Sequence, residues 1–306
     1  MASLLLLSLL LAAPAEETEE APKPICCLPH PQIWLEQQTD EWRRARRARL
    51  LEPYGWLSLV GLHWLDGDGP WRIGRAEGEV RLGRGPDRLG ILLREEAAGR
   101  ATFFLVEEGR RHRLGVDLRG EPEGVADLEG GLRLAVIRRG QRFALRVWDP
   151  EAPSRRHFGE LEYFPVALAW VIEGHFHPHD PPRMLPVADV TGQETTRRNP
   201  GRVEFRIGDR SYALEALQEN PEEELFFVFA DRTNGKETYG GGRFLYARPP
   251  DPRGRVVLDF NRAYNPPCAF TPYSTCPLPP PENRLDLRVE AGEMRYRGAS
   301  SELSGP

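Results

Sequence analysis

The sequence predicts a mainly β protein: an N-terminal helix, then a β-sandwich-like domain, then a second antiparallel β domain, barrel-like or an open sheet. Three observations carry this. From Trp56 onward, short runs rich in β-branched and aromatic residues recur between Gly, Asp and Pro clusters, the spacing of a sandwich or barrel. The turn signals Gly208-Asp209 and Asn234-Gly235 each sit between two such runs. Helical spacing shows in EWRRARRARLL, directly after the capping candidates Thr39 and Asp40.

A chain of 306 residues suits one large or two ordinary domains, and 40% hydrophobic against 28% charged residues is a globular balance. The formal net charge is −5, and Lys23 and Lys236 are the only lysines, so arginine supplies nearly all the positive charge. Such a mildly acidic chain has no overall nucleic-acid footprint, and no nucleic-acid partner is expected.

In chain order, the apolar run Leu4 to Ala13 followed by Ala13-Pro14-Ala15 reads as a secretory signal over residues 1–15, which predicts export to the periplasm or the extracellular space. The run is shorter than the ~20 apolar residues that span a bilayer, and no later stretch is long enough, so no membrane span is expected. Residues 16–38 are acidic and proline-broken and predict a mobile arm that carries Cys26 and Cys27. The helix then runs from about 39 to Leu51. Trp42, Ala45 and Arg49 or Leu50 share a stripe, while Arg43, Arg44, Arg46 and Arg47 face elsewhere, more in the manner of a solvated face than of a phosphate or lipid site.

Residues 39–150 form the helix and sandwich-like domain. Trp56 to Leu65 is too apolar for an edge strand, and further strands are expected at Trp71–Ile73, Glu79–Leu82, Gly90–Arg94, Ala101–Glu107, His112–Leu118, Leu132–Arg138 and Arg142–Trp148. Asp149-Pro150-Glu151-Ala152-Pro153 marks the boundary with a C-terminal β domain over 151–298, and 299–306 read as a tail. In that domain the strand from Trp170 is expected to fail beyond Phe176, because Pro178, Pro181 and Pro182 follow. Alternation would point His175, His177 and His179 to one face as zinc or copper ligands, but the same prolines break the pattern, and no bound metal or cofactor is expected.

GWLSLVGLHWL, LEYFPV, ETYGGGRFLY and above all LDFNRAYNPPCAFTPYSTCPLPPPENRL resemble a bacterial family catalogued as domain of unknown function 1684, over roughly Trp42 to Gly292. That resemblance implies no biochemical activity. Ile73-Gly74-Arg75 weakly resembles the start of a forkhead-associated sandwich, a fold whose loops read phosphothreonine. The Ser-x-x-His and Asn signature of that fold is missing around Gly99 to Phe103.

The chemistry-bearing stretch is Tyr239 to Arg284. A two-residue turn at Asn234-Gly235 would set Phe226 opposite Arg243, and a further hairpin would set Tyr246 opposite Val256 and Arg243 opposite Asp259. Read as structure, Arg243 and Asp259 satisfy each other across the sheet. Read as a site, the bare amides of Gly240, Gly241 and Gly242 form an anion-holding nest. Arg243 and Arg262 would then offer forked donors, with Asn261, Asn265 and Asn283 alongside and Asp259 as a general base. The loop from Arg262 to Asn283 holds seven prolines and two cysteines, and in an exported protein Cys268 and Cys276 are expected to close a disulfide that stiffens it as a pocket wall.

No GxSxG, HExxH, P-loop or Rossmann glycine pattern is present, which argues against the commonest serine hydrolases, zinc proteases and nucleotide enzymes. The sequence therefore predicts an exported β-rich protein binding an anionic carboxylate or phosphate ligand beneath the proline-rich loop. A hydrolase using Asp259 is the alternative, and a structural envelope protein the third reading.

Overall fold

The computed structural model describes residues 30–97, 99–117 and 119–298. The expected signal segment, Cys26, Cys27 and the tail at 299–306 lie outside the described residues.

The first element is helix α1 (Pro31–Leu50), which begins a full two turns before the expected caps. Pro31 explains the early start, since its fixed φ suits the first helical turn and its missing N–H would have had no partner there. Residues 31–38 of the expected arm are thus helix. The inward stripe is Leu35, Thr39, Arg46 and Leu50. Arg46 departs from the expected solvated face: its guanidinium lies 4.5 Å over the Tyr264 ring and meets the Glu293 carboxylate at 3.0 Å.

Strands β1 (Leu59–Trp64), β2 (Trp71–Gly74), β3 (Val80–Arg81), β4 (Gly90–Ala97), β5 (Arg100–Glu107), β6 (Arg110–Leu114), β7 (Ala126–Asp127), β8 (Arg133–Arg139) and β9 (Arg142–Trp148) follow. They build two sheets, ordered β1-β9-β8-β7 and β3-β2-β4-β5-β6. Ile73, Leu92, Phe103 and Leu105 of one sheet pack with Leu134, Val136, Leu145 and Val147 of the other in one core, so the sheets face each other as a sandwich. β1 is an edge strand despite its apolar character. Its outer side is partly covered, because Thr271 from the proline-rich loop donates its hydroxyl to the Leu59 carbonyl at 2.9 Å.

The C-terminal half contains β10 (Val171–Ala188), β11 (Glu194–Ile207), β12 (Arg210–Glu215), β13 (Leu225–Phe229), β14 (Arg243–Ala247) and β15 (Arg255–Asp259). Gly208-Asp209 makes the expected hairpin, with Ile207 opposite Arg210. β10 continues well past Phe176, against expectation. Pro178 pairs with Gly201 and Arg183 with Asn199, so Pro181 and Pro182 sit in a bulge where no ladder N–H is required.

Asn234-Gly235 does not make a hairpin. β13 pairs with β14 across a longer connection, placing Phe229 opposite Arg243 and Phe226 opposite Tyr246. β15 joins the sheet β12-β11-β10-β15, with Asp259 opposite Val171. The expected pairings of Arg243 with Asp259 and of Tyr246 with Val256 are therefore absent. Phe227, Phe229, Leu245 and Ala247 face the second core with Val203, Phe205, Leu258 and Phe260, while Val228 and Phe244 pack on the opposite side with Leu217 and Cys276. Among the described residues no helix is long and apolar enough to cross a membrane.

Candidate functional site

The structure disperses the residues expected to form an anion pocket. Arg243 is wholly buried, and its Nη2 donates to Asp231 Oδ2 at 2.6 Å and to the Val289 carbonyl at 2.9 Å, while Nη1 donates to the Ala291 carbonyl. Burial lowers its proton affinity and the Asp231 charge opposes that. Asp231 Oδ1 accepts in turn from the Thr233 and Val289 amides at 2.8 and 3.3 Å.

Asp259, Asn261 and Arg262 do stay together at the end of β15. The Asp259 carboxylate accepts from the Asn261 amide at 3.1 Å and side chain at 2.9 Å, capping the one-turn helix Phe260–Arg262, and Arg262 Nε lies 3.1 Å away. Burial raises the Asp259 carboxyl above its ordinary value, with Asn261 and Arg262 pulling the other way. Asn261 also clamps Ala167, donating to its carbonyl and accepting from its amide, both at 3.0 Å.

Asn265 belongs to a different network. Its amide donates to Glu293 Oε2 at 2.8 Å, its side chain donates to the Met294 carbonyl at 2.8 Å, and its own carbonyl accepts from Arg46 at 2.9 Å. Asn283 is buried and ties β12 to β13: it donates to the Glu215 and Val228 carbonyls at 2.9 and 3.0 Å and accepts from the Glu215 amide at 2.7 Å. Of the three glycines, Gly240 is exposed, and Gly242 has φ +94° with its amide directed to the Tyr239 carbonyl at 3.3 Å. A Cβ at Gly242 would stand 2.4 Å from Pro279 Cγ, so close passage beneath the proline-rich loop accounts for this glycine.

His175, His177 and His179 lie within β10, with His177 3.5 Å from Glu204 and His179 2.9 Å from Glu215. Among the described residues no cluster of three or more His, Cys, Asp or Glu side chains could hold a metal ion. In place of the expected bond, Cys268 and Cys276 lie side by side as free thiols.

A cavity of about 510 Å³ opens elsewhere, along the outer face of the β13–β14 ribbon. Phe226 and Tyr246 stand opposite each other across the two strands, their rings stacked at 4.7 Å, and Tyr246 is 46% exposed. Tyr264 continues the stack at 6.4 Å from Tyr246. The rim comes from the loop after β12, where the Gln218 side chain donates to the Glu223 carbonyl at 2.6 Å and so holds the loop in a tight arc. Glu219, Glu223 and Glu224 project from that arc. Arg197 of β11 pairs with Glu219 at 3.3 Å, and Arg119 reaches over from the N-terminal half to Glu223 at 3.8 Å. Pro277 of the proline-rich loop completes the lining. Burial raises the Tyr246 phenol above its usual value, a hydrogen bond with Tyr264 opposes the rise, and Glu224 and Glu223 add to it.

Sequence reasoning missed this wall, apart from its loop. The available signal was the Glu222-Glu223-Glu224 run beside an aromatic strand, which reads as a solvated turn until Tyr246 is brought opposite Phe226.

Fold and cavity together define a mainly β protein with an aromatic-walled pocket in its C-terminal half. Residues 156–294, which include this ribbon and the proline-rich loop, match the family model described as Protein of unknown function (DUF1684). The matched span begins after GWLSLVGLHWL, so that motif and α1 lie outside it. Among solved structures, the chain is similar to an uncharacterized protein of Haloarcula marismortui determined by solution NMR, at 29% identity over 46% of this chain and 80% of that one, with a TM-score of 0.40. No curated protein matches the chain.

Proposed function

We propose that this is an exported binding protein whose cavity takes a neutral polyhydroxylated ligand, a carbohydrate. One observation carries the reading: a half-exposed tyrosine, backed by a stacked phenylalanine, walls a cavity whose two arginines already have carboxylate partners. The apolar C–H face of a sugar ring packs on such a surface, and its vicinal hydroxyls suit the alternating carboxylate and guanidinium rim. With Glu219, Glu223 and Glu224 against Arg119 and Arg197, the rim carries no surplus positive charge to attract an anion. Export is supported by the apolar run and small-residue site at the N-terminus.

An anionic ligand is the second reading, and the loose Arg119–Glu223 pair favours it, since a carboxylate or phosphate could displace Glu223 from a forked donor. Calorimetric titration with neutral oligosaccharides and with sugar phosphates separates the two. Neutral sugars bind on the first reading, and Tyr246→Ala weakens them by up to about tenfold, the stacking contribution. Binding of sugar phosphates alone would establish the second reading, and neutral-sugar binding unaffected by Tyr246→Ala would remove the cavity from consideration.

A further inference from the structure

The proline-rich loop carries a second chemical feature, separate from the cavity chemistry. It turns back through a one-turn helix at Pro267–Ala269 so that Cys268 and Cys276 meet. The Cys268 amide donates to Cys276 Sγ at 3.1 Å. The Ser274 hydroxyl donates to Cys268 Sγ at 2.9 Å, and the same oxygen stands 3.6 Å from Cys276 Sγ as acceptor for its thiol. One hydroxyl thus links the two sulfurs.

The pair is asymmetric: Cys268 is partly exposed and Cys276 is buried. Two arginines that share the Glu121 carboxylate, at 2.7 and 3.8 Å, lie beside it. Thr275, between Ser274 and Cys276, is gripped by two arginines of the β8–β9 hairpin, Arg139 Nε at 2.8 Å and Arg146 Nη2 at 3.2 Å. Arg146 is only 3% exposed and its Nε has no partner. A buried guanidinium that is incompletely partnered costs stability, and negative charge on the adjacent sulfurs would offset part of that cost.

We propose that Cys268 and Cys276 form a dithiol site for thiol–disulfide exchange, with Cys268 attacking, Cys276 resolving, Ser274 positioning the proton between them, and an organic disulfide as the oxidant. The Cys268 thiolate attacks one sulfur of the incoming disulfide, that S–S bond breaks, and the leaving thiolate takes a proton. Cys276 then gives up its proton, through the Ser274 hydroxyl to the second leaving thiolate, and its sulfur attacks Cys268 Sγ. The mixed disulfide breaks. Two protein thiols are oxidised to one disulfide, and one external disulfide is reduced to two thiols. At Cys268 the interaction with Cys276, aided by Ser274 and opposed by burial, draws the thiol below its ordinary value, whereas burial pushes Cys276 up. Low proton affinity at the accessible sulfur and high affinity at the buried one is the order that attack and resolution require.

The test uses the full chain with Cys26→Ser and Cys27→Ser, reduced and then exposed to oxidised glutathione, with acid quenching and peptide mass mapping. The expected product is a Cys268–Cys276 disulfide without retained glutathione. Cys276→Ser should hold glutathione on Cys268, and Cys268→Ser should react at least about tenfold more slowly. Ser274→Ala should move the midpoint of the rate–pH profile of Cys268 upward, and Ser274→Thr should restore it. Free thiols in the reference chain after oxidation, or a Cys268→Ser chain reacting as fast as Cys276→Ser, would overturn the proposal. An unmoved midpoint in Ser274→Ala would overturn the role of Ser274.

Discussion

Arg243 is the most deeply committed charge in the C-terminal half, and removing its partner should be costly. Asp231→Asn keeps an acceptor oxygen for the Thr233 and Val289 amides while deleting the negative charge, so it isolates the ionic contribution. The guanidinium would keep the Val289 and Ala291 carbonyls but lose the carboxylate bonded to it, and breaking a fully buried pair in this way costs about 3–5 kcal/mol. The retained carbonyls place the expectation near the lower end, about 3 kcal/mol. Arg243→Met should cost a similar amount by stranding Asp231. The double variant removes both charges, so it should fall short of the sum by about 2 kcal/mol or more. Urea unfolding at neutral pH measures all three, with Arg243→Met combined with Asp259→Asn as the control. Arg243 and Asp259 share no partner, so that control should be additive within about 0.5 kcal/mol. Small additive effects at Asp231, or strong coupling to Asp259, would refute the observed strand register and return Arg243 to the partner expected from local turn signals.

Two further predictions concern the surroundings of the proline-rich loop. Glu293 is wholly buried and bridges Arg46 of α1 at 3.0 Å to the Asn265 amide at 2.8 Å, so Glu293→Ala should cost about 3–5 kcal/mol. It should also raise amide exchange in Pro31–Leu50 before that of β13 and β14, and unchanged protection of α1 would show that the helix is held by packing alone. At Asp259 the folded carboxyl is raised above its unfolded value of 3.8, so the folded state binds the proton more tightly. The resulting stabilisation is complete below that unfolded value and is lost as pH rises through the folded one. Asp259→Asn should therefore gain in Tm relative to the parent chain as pH rises from about 4 to 7, and a gap that moves the other way would mean that Asn261 and Arg262 outweigh burial.

How much of this was legible depended on the range of the interaction. Gly208-Asp209 read correctly because β11 and β12 meet directly across it, and β9 matched its expected span, Arg142–Trp148. Arg46 was hidden in a run of arginines, since nothing local distinguishes the one whose partner is Glu293, far along the chain. β15 was hidden in the same way: its ladder partner is β10, whose strand follows the distant Leu168–Trp170 turn rather than any hairpin signal.

The failure at Asn234-Gly235 is the most informative, because it displaced the candidate site. Asn234 accepts from the Asp231 amide at 2.5 Å and donates to the Tyr239 carbonyl at 2.6 Å, while the amides of Lys236, Glu237 and Thr238 all turn to the Thr233 carbonyl. The segment is thereby folded into a compact loop and has no ladder to offer Leu225–Phe229. Pairing falls instead to Arg243–Ala247, and the residue opposite Arg243 changes from Phe226 to Phe229. Because side chains alternate along a strand, a shift of three positions puts Arg243 and Phe226, expected on one face, on opposite faces of the ribbon. Arg243 lies in the core with Phe229, where Asp231 meets it, and Phe226 lies on the outer face, where Tyr246 stacks on it. The same displacement that withdrew the expected cation from any ligand therefore assembled the aromatic wall of the cavity.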